Sequence, residues 1–145
     1  MVLTPFVLTI LLLTSCASAQ EAPRPALGGY WSATTGRKAS FRGRWWARAE
    51  SPDAASGNWT LLDDANRIRL EGTWSARKSP RGWQGTWTAH ADAGPALSGT
   101  WQADLDGFSG KTFEDMLKHT LEKQVSGSWR SGRYTGYWWL QGTKW

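Results

Sequence analysis

The chain of 145 residues has one cysteine, Cys16, two histidines and two methionines. A single thiol excludes an internal disulfide, a cysteine-built zinc cluster and a Cys-x-x-Cys redox pair. The two histidines, His90 and His119, stand among scattered acids, and no HExxH, nucleophile motif or phosphate-cradling glycine loop is present. His90 has Asp92 two residues on, a weak acid/base or metal pairing, but the Ala89 to Ala96 link reads more simply as a solvated turn. Asp63-Asp64 is likewise a hairpin turn, because Ca²⁺ needs six or more oxygens and no loop pattern follows. These absences argue against an enzyme and leave no residue set for a cofactor or a metal. Beyond the first twenty residues, no apolar run is long enough to cross a membrane as a helix. What the chain has instead is 12 Trp, 16 Gly and a net charge of +5.

Val2 to Leu13 is almost wholly apolar, small residues follow to Ala19, and the first charge is Glu21. This pattern reads as a secretory signal peptide. Residues 1–19 are removed if Ala17-Ser18-Ala19 is the cleavage site. Alternatively, Leu13-Thr14-Ser15-Cys16 resembles the bacterial lipobox, which implies a signal of residues 1–15 and a lipidated Cys16. Residues 20–26, with Pro23 and Pro25, then form an extended linker to a domain over 27–145. Either cleavage places the domain outside the cytoplasm, as a periplasmic or secreted protein or one anchored at the outer membrane by its lipid.

Eight of the 12 Trp have Gly two residues before them, far more than 16 glycines in 145 residues would place by chance. The Trp of these pairs are Trp31, Trp45, Trp59, Trp74, Trp87, Trp101, Trp129 and Trp138. Successive spacings are 14, 14, 15, 13, 14, 28 and 9, so the 28 spans two periods, with Phe108-Ser109-Gly110 as a degenerate copy. One structural unit is therefore used many times. Apolar residues flank each pair at period two, for example Leu70-x-Gly72-x-Trp74-x-Ala76, with polar residues between them. That alternation is a half-buried strand. The links carry turn residues, as in Ser79-Pro80-Arg81-Gly82, so neighbouring strands pair as antiparallel hairpins.

Thr112 to Gln124 breaks this pattern. Phe113, Met116, Leu117, Thr120 and Leu121 fall on one helical face, and Thr112 and Asp115 are spaced as a capping box. The expectation is all-β: eight to ten short antiparallel strands closed into an up-and-down barrel, with one inserted α-helix. Closure removes exposed edges and covers the Trp face. Glycines gather at the waist, and each Trp lies over the bare backbone of the next strand. A two-sheet sandwich is the alternative arrangement.

Gly-x-Trp on a barrel strand resembles the signature near the start of lipocalins, and a small Trp-rich meander is similar to avidin-type barrels. The resemblance implies a calyx for a small apolar ligand. It covers one tripeptide per unit, which lipocalins carry once and this chain eight times.

Two sites follow. The eight Trp form either the core or the lining of a ligand cavity; the plainer expectation is that they fill the barrel, while the glycine waist is the reason to expect a void. The second site is exterior. Closure makes the first and last strands neighbours, and their outward positions are Tyr30, Arg42, Arg44, Trp46, Arg48, Arg130, Arg133, Tyr137 and Trp139. Such a patch suits an anionic or sugar-ring partner: an envelope polymer, a lipid headgroup or another protein, with nucleic acid disfavoured by export. The inserted helix is a competing cover for the same patch. The expected function is non-catalytic recognition through this patch, with carriage of a small hydrophobic ligand inside the barrel as the alternative.

Overall fold

The computed structural model describes residues 27–36, 39–105 and 110–143. The expected signal segment, Cys16 and the linker lie outside the described residues, as do Phe108 and Ser109 of the degenerate copy. Eight strands form a closed antiparallel barrel in chain order: β1 (Leu27–Thr35), β2 (Ala39–Ser51), β3 (Ala54–Leu62), β4 (Ile68–Ser79), β5 (Gly82–His90), β6 (Leu97–Asp104), β7 (Val125–Ser131) and β8 (Tyr134–Thr143). β1 pairs with β8, so the first and last strands meet along one seam and the sandwich alternative falls. The architecture is consistent with that of lipocalins and avidins.

Each strand runs Gly-x-Trp in chain direction, and consecutive strands run oppositely. The odd strands therefore carry Trp31, Trp59, Trp87 and Trp129 toward one barrel end. The even strands carry Trp45, Trp74, Trp101 and Trp138 toward the other. Within each hairpin the pairing is reciprocal, as Trp31 faces Gly43 while Gly29 faces Trp45, and Trp59 faces Gly72 while Gly57 faces Trp74. The same holds for β5/β6 and β7/β8. The glycines consequently do not form a single waist ring as expected; they alternate with Trp in two slanted layers.

The exchange of Gly for bulk is obligatory. A Cβ on Gly43 would overlap the Thr60 carbonyl oxygen, and its next neighbour would be Trp31 Nε1 at 2.7 Å. The indole crosses the bare strand and donates from Nε1 to a carbonyl beyond it. Trp31 reaches Thr60 O on β3 at 3.0 Å, Trp59 reaches Thr88 O on β5 at 3.1 Å, and Trp74 reaches Trp46 O on β2 at 3.1 Å. Each bond thus spans three strands and ties the wall together around its circumference.

The helix is shorter than its sequence pattern. α1 covers Phe113–His119, with Thr112 as N-cap and the expected capping box to Asp115. It ends where the last turn tightens: Leu121 N–H donates to Lys118 O and Glu122 N–H to His119 O, each at 3.0 Å, while the Thr120 carbonyl accepts from Gly142 N–H at 2.8 Å. Nor does α1 cover the outer seam. It closes one end of the barrel, where Phe113 is fully buried, stacked 6.1 Å from Trp74 and edge-on to Trp83 at 4.5 Å.

Candidate functional site

A cavity of about 380 Å³ lies inside the barrel, lined by all eight Trp of the Gly-x-Trp pairs. The rings also serve as core, with Trp45 buried in the central cluster and Trp31, Trp59, Trp74, Trp101 and Trp138 packed against it. Their orientation leaves the space: each indole lies along the wall over a glycine instead of pointing at the axis. On the odd strands successive rings meet edge to face at 5.6, 6.1 and 6.3 Å, a pinwheel that holds the rings at the wall. Trp74, Trp101 and Trp138 repeat the arrangement at 6.3 and 5.8 Å.

The chemistry of the lining is uniform. Seven of the eight indole N–H groups donate to wall carbonyls, and the hydroxyl of Thr120 donates to Leu117 O at 2.6 Å. Among the described residues no charged side chain lines the space. A ligand inside meets ring faces and methyl groups, with nothing to pair a charge.

The two ends differ. At the α1 end the inward residues Ala47, Ala55, Ala76, Trp83, Ala103 and Val125 are all buried beneath Phe113, Met116 and Leu117. At the opposite end Phe41, Leu61, Leu70 and Leu97 line the cavity, and Leu97 is 47% exposed. Ile68 and Tyr134, on the strands around this rim, are also exposed. The site is thus a blind cup with an apolar lip. Phe41, Leu61, Leu70 and Leu97 belong to the period-two pattern of the sequence, but which barrel end lay open was not readable from it. Phe113, Met116 and Leu117 form the helix face expected from the sequence, but it seats inside the barrel end and not on the exterior patch.

The exterior residues divide into groups. Tyr30, Arg42, Arg44, Trp46 and Trp139 share the outward face of β8, β1 and β2, where Tyr30 lies opposite Arg44, and Ser32 lies between Arg42 and Trp139. The Arg44 guanidinium sits 5.8 Å from the Tyr30 ring, and Arg42 donates to Asp63 O at 3.0 Å. Arg133 stacks on Tyr134 at 5.3 Å in the β7–β8 turn, while Arg48 lies farther along β2, opposite Ser56. Arg130 and Tyr137 line a separate outer groove that runs across β4 to β8. Among the described residues none of these arginines is ion-paired with a carboxylate.

His90 is exposed at the end of β5 opposite Glu71, on the outer surface and away from both cavities. Asp63 is occupied by its own turn: its carboxylate accepts from the N–H groups of Ala65 and Arg67 and pairs with Arg67 Nε at 2.9 Å. The backbone N–H of Arg67 is the main cause that holds its pKa below the ordinary aspartate value. No group of three or more potential metal ligands occurs among the described residues. Compared with protein-family models, curated proteins and solved structures, the chain matches none, so the functional reading rests on the geometry.

Proposed function

We propose that this protein is a non-catalytic, exported carrier of a small hydrophobic ligand held inside the barrel. The observation that carries the reading is the indole-lined cavity, closed by α1 at one end and rimmed by exposed apolar side chains at the other. Its volume is about two and a half times the ~150 Å³ that holds benzene, so it has room for roughly fifteen carbon-sized atoms. That matches a two- or three-ring hydrocarbon skeleton or a folded acyl segment, with any polar head left at the lip. The lining favours an uncharged guest, since a buried ion would find no partner.

Titration with N-phenyl-1-naphthylamine tests this. Saturable one-to-one enhancement, with energy transfer from Trp and displacement by a long-chain alcohol, is expected. Absence of a saturable signal would remove the carrier reading. A second reading, recognition of an anionic or sugar-ring partner on the exterior, is favoured by arginines that have no carboxylate partner among the described residues and by Tyr30 and Tyr137, which are 54% and 63% exposed.

A further inference from the structure

The exterior of the barrel is not uniform. Across β4 to β8 it carries an open groove of about 810 Å³ whose floor is the strand backbone at Gly85, Trp101, Trp129 and Gly136. Five strands at ~4.8 Å spacing give a trough about 19 Å long, running around the barrel.

The groove walls are two rows in register. One row is Ser75, Thr86, Thr100, Arg130 and Thr135, each the ladder partner of the next. Its neighbour is Arg77, Gln84, Gln102, Ser128 and Tyr137, again paired strand by strand. Ser75 and Thr86 hold each other at 2.9 Å, which leaves each hydroxyl spare hydrogen-bonding capacity. Hydroxyls and amides thus line the trough, guanidinium groups stand at Arg77 and Arg130, and Tyr137 offers a ring face.

We propose that this groove binds an extended, acidic glycan strand. Successive sugar rings meet alternating hydroxyl and amide positions, carboxylates meet Arg77 and Arg130, and one ring stacks on Tyr137. Other linear partners fit less well. A peptide strand gains affinity by adding to a free sheet edge, and a closed barrel has none. A bilayer surface is too flat to enter a trough. The inference is independent of the interior cavity, and it narrows the exterior reading to one groove.

Isothermal titration with an oligogalacturonate, and with a neutral cello-oligosaccharide of equal length, tests it on the folded domain. The acidic oligomer binds saturably and more weakly as salt rises. Arg130→Gln and Tyr137→Ala each weaken it tenfold or more with unchanged melting, whereas Trp46→Ala together with Trp139→Ala leaves it intact. No saturation by either oligomer overturns the proposal. Loss in the Trp46/Trp139 variant with retention in the two groove variants overturns the groove but keeps an exterior site on β8, β1 and β2. Binding to phosphatidylglycerol vesicles alone replaces the glycan by a lipid surface and also overturns the proposal.

Discussion

The two ends of this barrel are built from the same hairpin unit and have opposite fates. At the α1 end four inward positions beyond the Trp layer are alanine, Ala47, Ala55, Ala76 and Ala103, and the space they leave receives Phe113, Met116 and Leu117. At the other end Ala33 and Ala89 are buried but Phe41, Leu61, Leu70 and Leu97 are larger, and among the described residues no element covers them. Small residues therefore make a seat for a plug, while large ones form a lip. The asymmetry turns a symmetric tube of Trp layers into a cup with a floor and a mouth.

The most damaging change is one that removes the hollow wall common to both ends. Gly85→Val would drive its side chain into Ser75 O and toward Trp101 Nε1, and because the obstruction is backbone the cost should exceed about 3 kcal/mol. Urea denaturation should find no stably folded variant. An unchanged midpoint would mean that the glycines are not obligatory.

Next, the ends can be set against each other. Phe113→Ala opens a gap under fully buried packing and should cost about 3 kcal/mol. Leu97→Ala, at a half-exposed lip, should cost under about 1 kcal/mol. Equal losses in thermal melting would erase the distinction between floor and mouth. Leu61→Trp sharpens it from the other side: bulk placed at the lip should weaken naphthylamine binding about tenfold while the melting temperature stays near that of the parent.

The smallest effect concerns the seat of the plug. Hydrogen bonds from the Thr112 side chain and then its backbone N–H hold the Asp115 carboxyl below the ordinary aspartate range. The folded state therefore favours the carboxylate. Its contribution is complete above the ordinary aspartate pKa and is lost as pH falls through the lowered folded value. Amide exchange in α1 should accelerate in that acid window before the strands respond. Thr112→Val should abolish the difference and cost about 1 kcal/mol. Simultaneous exchange of helix and strands at every pH would show that the cap does not act locally.

Much of the fold was legible because its rules are local. Period-two alternation around each Gly-x-Trp pair fixed strand identity and the inward face, and hairpin links fixed the order, so a closed meander followed. The capping box located the start of α1. Its end was not legible, because the apolar face continues to Leu121 while the backbone leaves the helix after His119 and Thr120 O accepts from Gly142 N–H on β8. The cavity was ambiguous for a related reason: whether a Trp points to the axis or lies against the wall depends on a carbonyl two strands over, such as Thr60 O for Trp31. The exterior residues were identified from type and parity alone. Parity cannot show that Arg130 and Tyr137 face a trough while Arg42 and Arg44 stand on the β8-β1-β2 face.

The central claim is that the Trp layers enclose a real, dry space. A crystal of the domain pressurised with xenon tests it directly. The account predicts xenon density between the two Trp layers, with the indole N–H bonds to the wall carbonyls unchanged. Indoles folded onto the barrel axis, with no xenon inside, would contradict it.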